Sequence, residues 1–393
     1  MALQPASGAR DLLPQEVGAN RWICERLAKV YQRWGYEEVM PPSLERLDTL
    51  EAGGAIDAGS VLQVVADEPL GLRPEMTASI ARAACTRLGS MHRPLRLHYS
   101  GSIFRSERQE GENPRVSELL QSGVELMGVP GNAGDAELLR LLLDAAADLP
   151  FSKTQAPTLL IGHQGLLELV LQELPETTHR QVRQALCRYD RLALESMDLA
   201  KGLGQRLLAL LQLRGDPQAV LRQLSQWFGT QPLFESLQNL VSSVAEQANK
   251  AQITLQLDPS FQPQFALYDG IVLQLVCSGP HAAVAIASGG RYDRLVKRFA
   301  PLDDEASGVG FSFDVEELRQ LLQANGGIPM AQSGCDRLVA FNSLELLSAA
   351  LDHLQQLHRS GLRAELWPEP CTSKLEAEQI ALLRRVESVD WLS

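Results

Sequence analysis

Residues 101–128 read GSIFRSERQEGENPRVSELLQSGVELMG. The stretch opens apolar, sets Arg105, Arg108 and Arg115 in a Glu- and Gly-rich interruption, and closes on a run through Gln121, Val124, Glu125 and Met127. Alternation of this kind predicts two strands flanking a charged loop. Gln121 and Glu125 are four residues apart, so on a strand they share a face. An arginine at the loop edge offers a planar fork that suits a carboxylate or a phosphate.

Outward from this hairpin the pattern is mixed. On the N-terminal side, Pro14 opens a helical segment with Ile23, Leu27, Val30 and Trp34 on one face. YEEVMPP (36–42) and VLQVVA (61–66) read as strands, and LRPE (72–75) as an extended piece before a helix from about Thr77. On the C-terminal side, GDAELLRLLLDAAADLP (134–150) is a helix and TLLIGH (158–163) a strand. Residues 165–250 are helical, rich in Leu and Gln, with breaks at Pro175, Asp216-Pro217 and Pro232, and read as a helical insertion. Strands are predicted again at Gln252–Leu257, Gln264–Tyr268, Ile271–Cys277 and Ala282–Ala287. SGGRYDRLVKRF (288–299) reads as a glycine turn into a short helix, and SGVGFSFDVEELRQLLQANGG (307–327) as a strand and a helix stopped by Gly326 and Gly327. Residues 336–393 give strand, helix, strand, helix and a last strand. The expected class is α+β: an antiparallel sheet flanked by helices in residues 1–328, interrupted at about 165–250, and a short α/β domain at 329–393.

Composition narrows the function. The 393 residues carry a formal net charge of -12, whereas a nucleic-acid binder ordinarily presents a basic footprint, so tRNA is not the expected partner. The cysteines at 24, 85, 187, 277, 335 and 371 are scattered, with no CxxC pair, and the histidines lack ligand spacing; neither zinc nor a disulfide framework is expected. No apolar h-region opens the chain, and no apolar run reaches the length of a membrane span. A cytoplasmic protein without a cofactor is predicted. Walker, GxSxG and strand-led GxGxxG patterns are missing too.

Glu75, Gln121 and Glu125 near strand ends, with Arg105 at the loop edge, allow two readings. Charged strand ends are often solvated or serve structural ion pairs. Alternatively the acids and the amide face one pocket and take an ammonium or imidazolium group while Arg105 takes a carboxylate, which together would hold an amino acid.

Five segments taken together resemble the catalytic core of histidyl-tRNA synthetases: PASGARDLLPQE (5–16), LRPEMTASIAR (72–82), the opening stretch, SGGRYDRLV (288–296) and GVGFSFDVEEL (308–318). The resemblance implies the dimeric synthetase fold, with Glu75, Thr77 and Gln121 on a histidine amine, Glu125 and Tyr268 on its imidazole, and Arg105 on its carboxylate. It also exposes departures. PQFALYDGIVLQL (263–275) keeps Tyr268 but has Pro263 where the synthetases carry an arginine essential for adenylate formation. Glu317 stands where another arginine grips the ATP triphosphate, and a carboxylate there repels phosphates. The C-terminal domain is shorter than a synthetase anticodon-binding domain. A kept pocket with a lost ATP clamp, together with Met76 in LRPEMTA, resembles the synthetase-like regulatory subunits of ATP phosphoribosyltransferase. That resemblance implies a non-catalytic subunit of the first step of histidine biosynthesis, partnered by the short-form catalytic subunit, a second copy of itself and free histidine, and mediating histidine feedback. The alternatives are a divergent histidyl-tRNA synthetase and a synthetase-like protein with some other ligand. No acidic loop and phosphate nest for phosphoribosyl pyrophosphate is legible in the chain.

Overall fold

The computed structural model describes all residues except 1–4, 53–60, 108–114, 262–266, 301, 303–305 and 330–334. Arg108, Pro263 and most of the strand expected at Gln264–Tyr268 therefore lie outside the described residues. The chain packs as two compact units, Met1–Leu12 with Asn20–Ile328, and Leu13–Ala19 with Pro329–Ser393.

The opening stretch forms a long hairpin. Strand β5 (Leu95–Glu107) pairs antiparallel with β6 (Arg115–Met127), from Leu95 opposite Met127 to Glu107 opposite Arg115. This pair belongs to an eight-stranded sheet ordered β1-β5-β6-β11-β10-β9-β7-β8. The other members are β1 (Glu37–Glu38), β7 (Thr158–His163), β8 (Thr254–Leu257), β9 (Ile271–Ser278), β10 (Ala283–Arg291) and β11 (Gly308–Asp314). The expectation of an antiparallel sheet holds in the middle and fails at both edges, where β1 runs parallel to β5 and β8 parallel to β7. The reason is topological: each edge strand returns to the sheet after an intervening helical or looped excursion, and such crossovers permit parallel pairing where a tight hairpin cannot.

Register decides what each face carries. On one face Val124 and Leu126 of β6 lie opposite Phe311 and Val309 of β11. Phe311 meets Tyr31 edge-on, with ring centroids 6.1 Å apart, and Tyr31 belongs to helix α1 (Pro14–Arg33). Ile23, Leu27 and Val30 of α1 are likewise fully buried, as its 3.6-residue apolar spacing requires. The opposite face brings Tyr99 and Gly101 level with Gly123 and Gln121, then Ser312, Gly310, Ser288 and Gly290. Glycines in adjacent strands make room on this face for larger side chains: Tyr99 lies over Gly123, Glu125 over Gly310 and Tyr268 over Gly290. Helices α3 (Thr77–Cys85) and α11 (Asp293–Phe299) pack on this face, where Ile80, Ala84, Leu295 and Val296 share one buried cluster with Leu97 and Tyr99.

The glycines of SGGRYD are not a turn: Gly289 and Gly290 are the last paired positions of β10 before Arg291. They are glycine for lack of room, since a Cβ on Gly290 would lie 2.5 Å from Ile271 O and 2.7 Å from the Tyr268 ring.

Helices α5 (Gln164–Gln172), α6 (Glu176–Cys187), α7 (Arg191–Ser196), α8 (Lys201–Leu210), α9 (Pro217–Phe228) and α10 (Pro232–Lys250) occupy the region between β7 and β8. Pro217 and Pro232 are first-turn prolines, and Pro175 precedes α6, so the sequence breaks fall at helix starts. Helix α4 (Gly131–Ala147) receives α10, with Asn132 donating to Ser236 O at 2.8 Å. In the second unit, β12 (Arg337–Phe341) pairs in parallel with β13 (Ala364–Leu366) and β14 (Ser388–Leu392); α13 (Leu347–Arg359) and α14 (Lys374–Arg384) pack on these strands.

Candidate ligand pocket

Glu125 is the centre of this face of the sheet. It is 1% exposed, and hydroxyl groups hold both of its oxygens: Thr77 Oγ1 donates to Oε1 at 2.8 Å and Tyr292 Oη donates to Oε2. Burial pushes its pKa up to about 8; the two hydroxyl donors oppose this and the Glu75 charge reinforces it. Gly310, opposite on β11, admits the carboxylate, since a Cβ there would overlap Oε2. Glu125 therefore holds its proton more tightly than an ordinary glutamate, and a nearby positive charge would favour its ionised form.

Glu75 was expected near a strand end, but β4 (Leu70–Leu72) stops before it. Its carboxylate instead caps α3, accepting from Ala78 N at 3.0 Å on Oε1 and 3.2 Å on Oε2. That satisfies an otherwise orphaned helix donor and places the negative charge at the positive end of the helix. Burial raises the Glu75 pKa, against the pull of the Ala78 and Thr77 N–H groups and the Arg105 charge. One short helix start thus positions both Glu75 and Thr77.

Arg105 lies on β5 opposite Ser117, and its Nε donates to Pro74 O at 3.4 Å, beside Glu75. The phenol of Tyr268 is raised by burial and by the charges of Glu125 and Glu75, with Arg105 opposing them, so all four groups are electrically close. Gln121 connects to the cluster through β6, four residues before Glu125, in register with Gly101 and Asp314. The fold thus draws Glu75, Thr77, Arg105, Glu125 and Tyr268 together and sets Gln121 further along the same face.

Two residues escaped the sequence reading. Tyr292 bonds Glu125 directly, and Tyr99, 2% exposed, is shifted upward by burial and by Glu125 and Glu75. Tyr292 follows the Gly-Gly-Arg that ends β10, so its position in SGGRYD was the available signal. Neighbouring Arg291 is structural: it is 6% exposed and pairs with Asp135 at 2.7 Å and Asp293 at 3.0 Å.

On the same face β11 ends at Asp314, level with Gln121. Helix α12 (Val315–Ala324) begins beside it, and a bare helix start attracts anions. Here Asp314 already accepts from Glu316 N and Glu317 N, both at 3.1 Å. The Glu317 pKa is raised by burial, then by Asp314 and Glu316. Arg319 of the same helix is 4% exposed and donates to Glu316 Oε1 at 3.2 Å, while Arg10 also pairs with Glu316. The start of α12 thus carries three carboxylates, of which Glu316 is offset by Arg319 and Arg10. Among the described residues no group of His, Cys, Asp and Glu could hold a metal ion, and no helix is long and apolar enough to cross a membrane.

Comparison with known proteins accords with this geometry. The family model described as histidyl-tRNA synthetase matches residues 8–318. Named ATP phosphoribosyltransferase regulatory subunits from Synechococcus sp. strain RCC307, Synechococcus sp. strain CC9902 and Prochlorococcus marinus strain MIT 9303 are 59%, 48% and 47% identical, each over 100% of both chains. A solved ATP phosphoribosyltransferase regulatory subunit/histidyl-tRNA synthetase from Bacillus halodurans shares the fold with a TM-score of 0.83 at 22% identity, covering 100% of this chain and 98% of that one. Histidyl-tRNA synthetase from Nostoc sp. PCC 7120 does so with a TM-score of 0.78 at 20% identity, covering 100% and 92%. A synthetase-type fold and close identity along the whole chain lead to one conclusion: this chain belongs to the family of ATP phosphoribosyltransferase regulatory subunits, the non-catalytic, histidyl-tRNA synthetase-like subunits of histidine biosynthesis.

Proposed function

We propose that this chain senses free histidine for the catalytic ATP phosphoribosyltransferase subunit that its family membership implies. The observation that carries the reading is the buried Glu125, held on both oxygens by hydroxyls and next to a second buried acid, Glu75. Two buried carboxyl groups favour a ligand that brings positive charge or N–H donors. Glu75, Thr77 and Gln121 would take the α-amine, Glu125 and Tyr268 the imidazole, and Arg105 the carboxylate. An amino acid without a second polar edge would leave the Tyr268 hydroxyl unmet and bring Glu125 no donor of its own, and that discriminates by about 1–3 kcal/mol.

Regulation then follows from linkage. Histidine shifts the activity of a complex only through a difference in its affinity for the active and inactive arrangements. The core would act as a dimer, with catalytic subunits bound around it. The acids at the start of α12 support a pocket that takes the amino acid without ATP. Calorimetry of histidine into the purified chain, alone and with the catalytic subunit, tests the reading. Saturable one-site binding that glycine and phenylalanine do not compete with is expected; silence in both states refutes it.

A further inference from the structure

The helical insertion is rooted on the same short rail of backbone as the residues around Tyr268. At its entry, Gln164 N donates to Gly270 O at 2.9 Å, two residues beyond Tyr268. At its exit, Gly215 and Leu257 exchange backbone hydrogen bonds at 2.9 and 3.1 Å, and Asp258 N donates to Ile161 O at 2.9 Å. Gly162 lies under Phe261, whose carbonyl oxygen would be 2.9 Å from a Cβ at that position. The end of β7, Ile161 to Gln164, therefore touches both the chain entering the Tyr268 region and the chain leaving it.

One side-chain contact bridges from this rail to the insertion. Asp258 is 3% exposed. Its Oδ1 accepts from Ser260 N at 2.9 Å and Ser260 Oγ at 2.7 Å, and its Oδ2 accepts from Tyr189 Oη at 2.8 Å. Tyr189 turns the corner between α6 and α7 with φ +53°, a left-handed conformation that favours glycine or asparagine and strains an aromatic residue. Hydrogen bonds of the α6 end, Tyr189 N to Leu186 O at 3.1 Å and Asp190 N to Ala185 O at 2.8 Å, hold that conformation, and the hydroxyl on Asp258 adds a contact outside the corner.

We propose that the Tyr189–Asp258 hydrogen bond is a latch by which the helical insertion fixes the position of Tyr268, making Tyr189 a positioning residue for the ligand pocket. The latch itself is independent of the ligand's identity; its consequence for histidine rests on the function proposed above. Occupancy of the pocket and the arrangement of the insertion then bias each other, as reciprocal coupling requires.

Hydrogen exchange of the unliganded full chain tests the latch directly. Tyr189→Phe removes one hydroxyl from a half-exposed side chain and should leave the fold intact. It should speed exchange at 257–261 and at 267–270, where Asp269 N, bonded to Arg291 O, is the reporter, and leave β6 unchanged. Asp258→Asn should reproduce the pattern. Faster exchange confined to the α6–α7 corner, or no change, overturns the proposal. With histidine, Tyr189→Phe should weaken binding about fivefold, and that loss should vanish in a Tyr268→Phe background; equal losses in both backgrounds also overturn it. If the wild-type chain binds no histidine while Tyr189→Phe still loosens 267–270, the sensing function fails and the latch stands.

Discussion

Replacing Glu125 by glutamine should stabilise the empty protein at pH 8 and destabilise it slightly at pH 5. The folded carboxyl holds its proton up to about pH 8, whereas an ordinary glutamate loses it near 4.5. A carboxyl with a raised folded pKa contributes fully below the unfolded value, and that contribution disappears as pH rises through the folded one. Each unit between the two values costs 1.36 kcal/mol, so the wild type loses about 3.5 kcal/mol between pH 5 and pH 8 through this group. Glutamine has no proton to lose. Its amide nitrogen donates where the protonated acid's O–H does, so at pH 5 Thr77 or Tyr292 has turned its hydroxyl in both proteins, and the exchange of an O–H for an N–H donor in this tight site costs on the order of 1 kcal/mol. The variant should therefore lie about 1 kcal/mol below the wild type at pH 5 and about 2–3 kcal/mol above it at pH 8. Urea unfolding at one protein concentration from pH 5 to pH 8 gives the difference directly, since the other titrating groups largely cancel. Parallel stability curves for the two proteins would show that Glu125 ionises normally in the fold and would remove the electrostatic basis of the pocket. The gain in stability should come with at least tenfold weaker histidine binding, a loss of about 1.4 kcal/mol, because sites that bind charge are built at a cost to the fold.

Glu125→Ala should also weaken histidine binding tenfold or more by calorimetry, and normal binding would place the sensor elsewhere. Gly310→Ala drives a methyl group into the Glu125 carboxylate and to 2.6 Å from Val124 O; a loss of about 1–3 kcal/mol is expected, and an unchanged melting temperature would contradict the packing described. Arg291→Met leaves Asp135 buried without its partner and should cost about 3–5 kcal/mol in urea unfolding; a loss under about 1 kcal/mol would mean the pair is solvated. The isolated chain should show no histidine-dependent exchange of pyrophosphate into ATP, and Glu317→Arg alone should not restore it, because Asp314 and Glu316 remain at the start of α12; measurable exchange in the wild type defeats the reading of that end of the pocket.

Much of this protein is written locally. Pro217 and Pro232 open helices because proline suits a first turn and nothing later. Alternation through Gln121, Val124 and Glu125 specifies a strand, and the charged interruption before it separates two strands long enough to pair along their whole length. The residue types at Glu75, Glu125 and Arg105 allowed either structural ion pairs or a pocket for an amino acid, and only the resemblance pointed to histidine. Burial and register belong to the tertiary structure. Nothing near Glu125 in sequence reveals that it would be fully enclosed or that Tyr292, 167 residues away, would bond it. Gly289 and Gly290 look like a turn until neighbouring strands show there is no space for a side chain. Glu75 reads as a strand end because its role as a cap depends on where α3 begins. The parallel edges likewise depend on which strands meet after long excursions. Short-range propensity is a property of a few neighbouring residues, whereas a pKa, a contact across the sheet and a strand's direction are set by packing between segments far apart in the chain, and that packing has no local signature.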